Sequence, residues 1–290
     1  MDQLPIAVVE RETGLSKDTL RVWERRYGFP KPERDDFGDR VYRAVDVQQL
    51  RLLRRLLDMG HRPAKIVGLS LERLNELTKA ADAPAQQPHV ERVDAVLHFL
   101  QQSDLSSLRD HLAQQLATHG VMAFVCDYLA PLTAVVGDAW ARGDIGVAQE
   151  HVFTEIVTRL LRSNLQQLSS HQREGRKILF ATLPGEQHGL GLLMAECIVA
   201  VKGNVAIPLG TEVPLEQLLW ACEAYRCDVV ALSFSQARSS TFVADGVRAI
   251  RTVLPESVQV WVGGSGAGLL KTVPEGVAVF RQLAELRDLA

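Results

Sequence analysis

Cysteine is scarce in this chain, and none of it is paired for chemistry. The four residues Cys126, Cys197, Cys222 and Cys227 form no C-x-x-C spacing, which excludes a zinc ribbon and a disulfide framework. All four sit in apolar segments, so they read as reduced, buried thiols of a cytoplasmic protein. No uninterrupted apolar run reaches the roughly 18 residues of a membrane span, and the amino terminus lacks the basic-then-apolar pattern of a signal peptide. There is no internal repeat. The glycine-rich stretch Gly263-Gly264-Ser265-Gly266-Ala267-Gly268 has no lysine where a nucleotide P-loop needs one.

What is present describes a soluble chain with room for two or three domains: 290 residues, 47% hydrophobic and 23% charged. The net charge of −3 hides an asymmetry. Residues 1–73 carry 15 Lys+Arg against 12 Asp+Glu, and the remainder carries 17 against 23. A basic front end on an acidic body points to an anionic partner for the front end.

Hydrophobic spacing divides the chain into a short, arginine-rich helical module at 1–78, a linker at 79–88, a helical bundle at 89–172 and an alternating strand–helix module at 173–290. In the bundle, Val93, Val96, Leu97 and Leu100 recur at helical spacing, as do Leu105, Leu108, Leu112 and Leu116. Segments 121–140 and 147–168 complete four helices. Strands are expected at 177–183, 204–209, 228–234, 258–263 and 277–281, with helices between them. That alternation predicts a parallel sheet. The fold class is multi-domain: a four-helix bundle and an α/β doubly wound five-stranded parallel sheet follow from this spacing, and the residues of the front module, taken next, make that part an all-α winged helix-turn-helix.

In the front module, two short helices meet at Gly14, and Ser16 is placed to cap the second. That helix carries Lys17, Thr19, Arg21, Arg25 and Arg26, the arrangement of a helix that enters a DNA groove; a small helical domain with a solvated basic face is the plainer alternative. Residues 35–42 fit a small β wing, with Arg40, Tyr42 and Arg43 in reach of phosphates. The segment Thr19-Leu20-Arg21-Val22-Trp23-Glu24-Arg25-Arg26-Tyr27-Gly28, with Gly38-Asp39-Arg40-Val41-Tyr42 and Asp46, resembles the MerR-type winged helix-turn-helix domain over residues 4–75. The resemblance implies operator double-stranded DNA as partner and Lys17, Thr19, Arg21, Arg25, Arg40 and Tyr42 as its contacts.

In the back module, Glu186-Gln187-His188-Gly189-Leu190-Gly191 comes after the first expected strand, where open α/β sheets hold their ligands. His188 there can give a ring nitrogen to a metal while Glu186 accepts the other N–H; taken alone, a polar surface turn with a glycine is the plainer reading. Gly191 permits close approach of a bulky ligand. Ser233-Phe234-Ser235 and Gly263-Gly264 end the next strands with small residues that would leave a slot. Trp140, Glu150 and His151 lie in the helical module, where an indole, a carboxylate and an imidazole can roof a planar cofactor; a core tryptophan beside two surface residues is the plainer alternative. Together these resemble the cobalamin-binding module of the methionine synthase type, with Glu186 in the aspartate place of Asp-x-His-x-x-Gly and Ser235 in place of a leucine.

The whole constellation resembles the CarH/LitR group of light-responsive repressors. That resemblance implies adenosylcobalamin as cofactor, His188 as the lower cobalt ligand, and a dark homo-tetramer on operator DNA that dissociates in light. It also implies a histidine directly after Trp140 as the upper ligand following illumination; this chain has Ala141 there, which leaves His151 or water. Two alternatives stay open. One is a MerR-type regulator sensing cobalamin or another signal without photochemistry; the other is a corrinoid-dependent enzyme module, against which no catalytic partner domain is visible.

Overall fold

The computed structural model describes residues 3–58, 61–81, 90–169, 175–235 and 238–288. The chain forms two compact units. The first comprises Met1–Gln101 and Val135–Glu150, the second Gln102–Ala134 and His151–Ala290. The helical stretch read from sequence as one bundle is thus divided between them. Of the expected linker, residues 82–88 lie outside the described residues, and 79–81 finish a helix.

The first unit opens with β1 (Gln3–Pro5), α1 (Ile6–Thr13) and α2 (Lys17–Tyr27). Gly14 ends α1 at φ 65°, and Ser16 caps α2 by accepting the Thr19 N–H at 3.2 Å. A wing comes next, β2 (Glu33–Arg34) and β3 (Arg40–Arg43), then α3 (Ala44–Asp58), α4 (Pro63–Ile66), α5 (Leu71–Ala81) and α6 (Val90–Gln101). The three strands pair antiparallel in the order β1-β3-β2. Val9, Leu20, Trp23, Tyr42, Leu50, Leu53 and Leu56 form the core beneath them.

The chain continues with α7 (Leu105–Ala123), a π-helical segment Phe124–Leu129, α8 (Ala130–Arg142) and α9 (Val147–Ser169). Leu105–Arg142 is long and apolar enough to cross a membrane by length and composition. Here Leu108, Leu112, Phe124, Val125, Leu129 and Leu132 are buried as core, and Gly120 (φ 71°) kinks the stretch.

The second unit contains a five-stranded sheet of β4 (Lys177–Ala181), β5 (Val205–Gly210), β6 (Val229–Ser233), β7 (Gln259–Gly263) and β8 (Val277–Val279). All pairings are parallel, in the order β5-β4-β6-β7-β8. The strands fall within a few residues of the sequence expectation because Ile178–Ala181 and Val229–Ser233 are buried throughout, as parallel strands covered on both faces must be. Between strands run α10 (Leu190–Val201), α11 (Leu215–Tyr225) and α12 (Ser240–Val253). The chain leaves β4 toward the β5 edge and returns on the other side as β6. That reversal opens a crevice at the carboxyl ends of β4 and β6.

Candidate functional site

Two segments meet at that crevice, residues 182–189 after β4 and residues 234, 235, 238 and 239 after β6. The first is clamped to the end of β5. Thr182, fully buried, donates its hydroxyl to the Glu186 carbonyl at 2.5 Å and accepts the Glu212 N–H at 2.9 Å. Glu212 in turn accepts from Gly185 N–H at 3.3 Å and from Gln187 Nε2 at 3.1 Å. The loop is thereby fixed on both sides of Glu186.

Glu186 itself has no exposed side-chain surface. Its Oε1 accepts His188 Nδ1–H at 2.6 Å and the His188 backbone N–H at 3.1 Å. Its Oε2 accepts the Ser235 N–H at 2.9 Å and the Ser235 hydroxyl at 2.8 Å. Burial pushes this carboxyl up, but the hydrogen bonds from His188 and Ser235 outweigh it and bring it down to about 2. An ionised carboxylate only accepts, so the Nδ1 contact places the imidazole proton on Nδ1 and leaves Nε2 with its lone pair. The His188 side chain is 63% exposed, so that lone pair is open to a ligand.

At the two places where this chain departs from the resembled motif, Glu186 and Ser235 meet through two hydrogen bonds. Ser233 is buried between two glycines. A Cβ on Gly191 would lie 3.1 Å from Ser233 Oγ, and one on Gly264 would lie 2.8 Å from it. At Gly264 the structure adds a packing reason for glycine. A Cβ there would fall 2.4 Å from the Phe234 carbonyl oxygen, at φ +88°, so glycine is needed for close backbone approach. A Cβ on Gly263 would meet only the Phe280 carbonyl oxygen, at 3.9 Å.

The donor set suits a cofactor that brings its own equatorial ligands. Among the described residues no group of three His, Cys, Asp or Glu could hold a bare metal ion. One oriented imidazole on an open strand end is what a pre-formed cobalt chelate requires from the protein.

Glu186, His188, Gly191, Ser233, Ser235, Gly263 and Gly264 are thus gathered at one end of the sheet. Trp140 is half-buried near the end of α8, its Nε1 buried with no hydrogen-bond partner. Glu150 is half-buried and His151 exposed, both near the start of α9. Thr182, Glu212 and Arg238, which lies beside Glu186, were not signalled by any motif.

In the first unit the capped helix α2 presents Arg25 as an exposed residue. Arg26, also exposed, lies 5.4 Å from the Tyr27 ring centroid, while Lys17 pairs with Glu10 at 3.6 Å and Arg21 with Asp18 at 3.3 Å. Arg40 at the wing pairs with Glu24 at 2.9 Å, and the Thr19 hydroxyl shares a 2.9 Å hydrogen bond with Ser16. Tyr42 departs from the expectation of a phosphate contact. It is 1% exposed, facing the core opposite Leu4, because its position in β3 turns it inward.

Comparison with known proteins agrees with both halves. The MerR HTH family regulatory protein pattern matches residues 4–72, and the B12 binding domain pattern matches residues 93–163. The chain is 34% identical to the HTH-type transcriptional repressor CarH of Myxococcus xanthus over 281 residues, 94% of this chain and 93% of that one. It is 33% identical to the repressor CarA of the same organism, over 91% of this chain and 87% of that one. In fold it is similar to the monomethylamine corrinoid protein of Methanosarcina barkeri, with TM-score 0.53 and 15% identity, covering 69% of this chain and 96% of that one.

Proposed function

This chain belongs to the CarH-type family of MerR-class, cobalamin-binding transcriptional repressors, and from that premise we propose that it is a light sensor whose chromophore is adenosylcobalamin. The observation that carries the reading is the Glu186–His188 pair: a buried carboxylate fixes the imidazole tautomer and leaves Nε2 open at the switch point of the sheet. A corrinoid-dependent enzyme is disfavoured by the regulators among its relatives.

Bound at His188, adenosylcobalamin would supply a light-sensitive cobalt–carbon bond. His188 would hold the cobalt, with Glu186 and Ser235 orienting the imidazole, Ser233, Gly191 and Gly263 shaping the strand ends, and Gly264 letting the strand-end backbones approach closely. To Trp140, Glu150 and His151 we assign the upper substituent. Lys17, Thr19, Arg21, Arg25 and Arg40 meet operator DNA. A dark homo-tetramer gives several heads to one operator, and its separation in light removes avidity of roughly 10²–10⁴.

The test is gel filtration and operator binding of the full chain loaded with adenosylcobalamin, in the dark and after illumination. The reading expects a coloured protein that becomes smaller and releases DNA in light. Colour without a change in size leaves a cobalamin-binding regulator without photochemistry. A colourless protein removes the cofactor from the mechanism.

A further inference from the structure

Glu186 has one more neighbour, and it is a cation. Arg238 Nε lies 3.5 Å from Glu186 Oε2, an ion pair without a hydrogen bond. The Arg238 N–H donates to the Ser235 carbonyl at 3.2 Å, so its backbone is tied to the residue that already holds Glu186. The guanidinium rests 5.4 Å from the centroid of Phe242, in the first turn of α12.

A carboxylate with no exposed surface needs a countercharge, because an isolated buried ion is very costly. A protonated His188 would supply one. A histidine that binds a metal is neutral, however, and cannot. Among the described residues, Arg238 is the Lys or Arg side chain within ion-pair distance of Glu186. An arginine keeps its charge under all conditions in which the protein is folded.

We propose that Arg238 is the fixed counter-ion of Glu186, a positioning residue that keeps the carboxylate buried and aligned when His188 gives Nε2 to cobalt. The proposal rests on the cobalamin reading above. Its physical content is that charge at position 238 sets how firmly His188 is presented, although Arg238 touches neither the imidazole nor the metal. Without the cation the carboxylate turns toward water, His188 loses its Nδ1 partner, and the protein imidazole competes less well with the cofactor's own benzimidazole base.

The test is dark titration of the full chain with adenosylcobalamin. Affinity is read from absorbance, and the lower ligand from the spin-resonance spectrum of bound cob(II)alamin with the protein 15N-labelled at histidine, where imidazole ligation gives a two-line nitrogen splitting and benzimidazole a three-line one. Arg238→Gln is expected to weaken binding about 10-fold, the lower end of what loss of an outer-shell partner costs, and to show a mixture of imidazole- and benzimidazole-ligated cobalt. Arg238→Lys is expected to retain the wild-type spectrum. Arg238→Met, which keeps length without charge, is expected to behave as Arg238→Gln. The proposal is overturned if Gln and Met variants match the wild type, or if Lys loses as much as they do. A wild-type protein that binds no corrinoid, or binds it through benzimidazole, overturns the cobalamin reading and this inference together, and so separates the two failures.

Discussion

The Arg51 guanidinium stacks over the Trp140 indole, its central carbon 4.8 Å from the ring centroid. The same side chain pairs with Glu12 at 2.5 Å, and both partners are almost fully buried. One turn along α3, Arg55 pairs with Asp138 at 2.6 Å, and Gln48 Nε2 donates to the Arg142 carbonyl. Gly143 (φ +81°) has no side chain there because a Cβ would meet Gln48 Nε2 at 2.7 Å. The helix after the wing is therefore locked to the end of the helix that carries Trp140. Arg51→Ala should lower stability by about 3 kcal/mol, since it strands a buried Glu12 and removes a desolvated cation–π contact. Arg51→Lys should recover part of this, because it keeps charge but not the flat stacking face. Denaturant unfolding, read by tryptophan emission, measures both; an unmoved midpoint in Arg51→Ala would refute the lock.

Glu186 gives the protein a pH dependence of definite sign. Burial raises its pKa, and the His188 and Ser235 hydrogen bonds then lower it from 4.5 to about 2. A depressed carboxyl stabilises the fold fully above its unfolded value and loses that contribution as pH falls through the folded value. Stability of the cofactor-free protein should thus decline between about pH 4.5 and 2 by about 3 kcal/mol from this group. Glu186→Gln should remove that part of the acid transition. An identical acid limb in wild type and variant would show that the network does not hold the carboxylate in its ionised form.

Much of this site was readable in one dimension, and the parts that were not share a cause. His188 announces itself because a buried parallel strand is a short apolar run, and the loop leaving such a strand must lie at the sheet's carboxyl edge. Ser235 and Arg238 come from the next strand's loop, and only the β4–β6 pairing brings them to Glu186. Tyr42 lies in a DNA-binding motif, but motif membership does not say which way a strand residue faces; pairing with Leu4 decides that. The glycine doublet was visible, but the Phe234 carbonyl that explains Gly264 was not. The division of the helical stretch depends on long-range contacts such as Arg55–Asp138, which leave no periodic trace.

Glu196 works in the opposite direction to Glu186. It is 8% exposed on α10, and burial pushes its pKa up to about 7, with Arg162 offsetting part of the rise. The native state then holds a proton that the unfolded chain has released, so stability falls as pH rises from about 4.5 to 7 and levels off above that. Glu196→Gln, neutral throughout, should stabilise the protein by about 2–3 kcal/mol at pH 8 and by very little at pH 4. Thermal unfolding at the two pH values measures the difference. Equal shifts at both would mean that the carboxyl is not protonated in the folded protein.

The front unit offers a pair of contrasting substitutions. Arg25 is exposed on the capped helix, and Arg25→Ala should weaken binding to any DNA sequence and reduce the salt slope by about 1. Tyr42→Phe should leave DNA affinity unchanged, because the ring belongs to the core. Its hydroxyl is buried without a partner, so removing it should raise stability by about 1 kcal/mol. Fluorescence anisotropy with a labelled duplex across a salt series, with unfolding in parallel, distinguishes them. Loss of DNA binding in Tyr42→Phe would return that residue to the interface.

Ala141 bears on the state reached after illumination. It is buried in the first unit directly after Trp140, and a methyl group cannot ligate cobalt. The residue that the resemblance places at the upper site is missing, and on the light-sensor reading proposed above His151, exposed near the start of α9, or water takes that place. The illuminated protein should show either a single-imidazole absorption spectrum or a two-imidazole spectrum that His151→Ala abolishes. Ala141→His should create a two-imidazole product that survives His151→Ala, since a side chain at 141 then competes directly with water. A two-imidazole spectrum in the parent chain that persists in His151→Ala would mean that a different histidine reaches the metal, and the assignment of Trp140, Glu150 and His151 to the upper face would have to be abandoned.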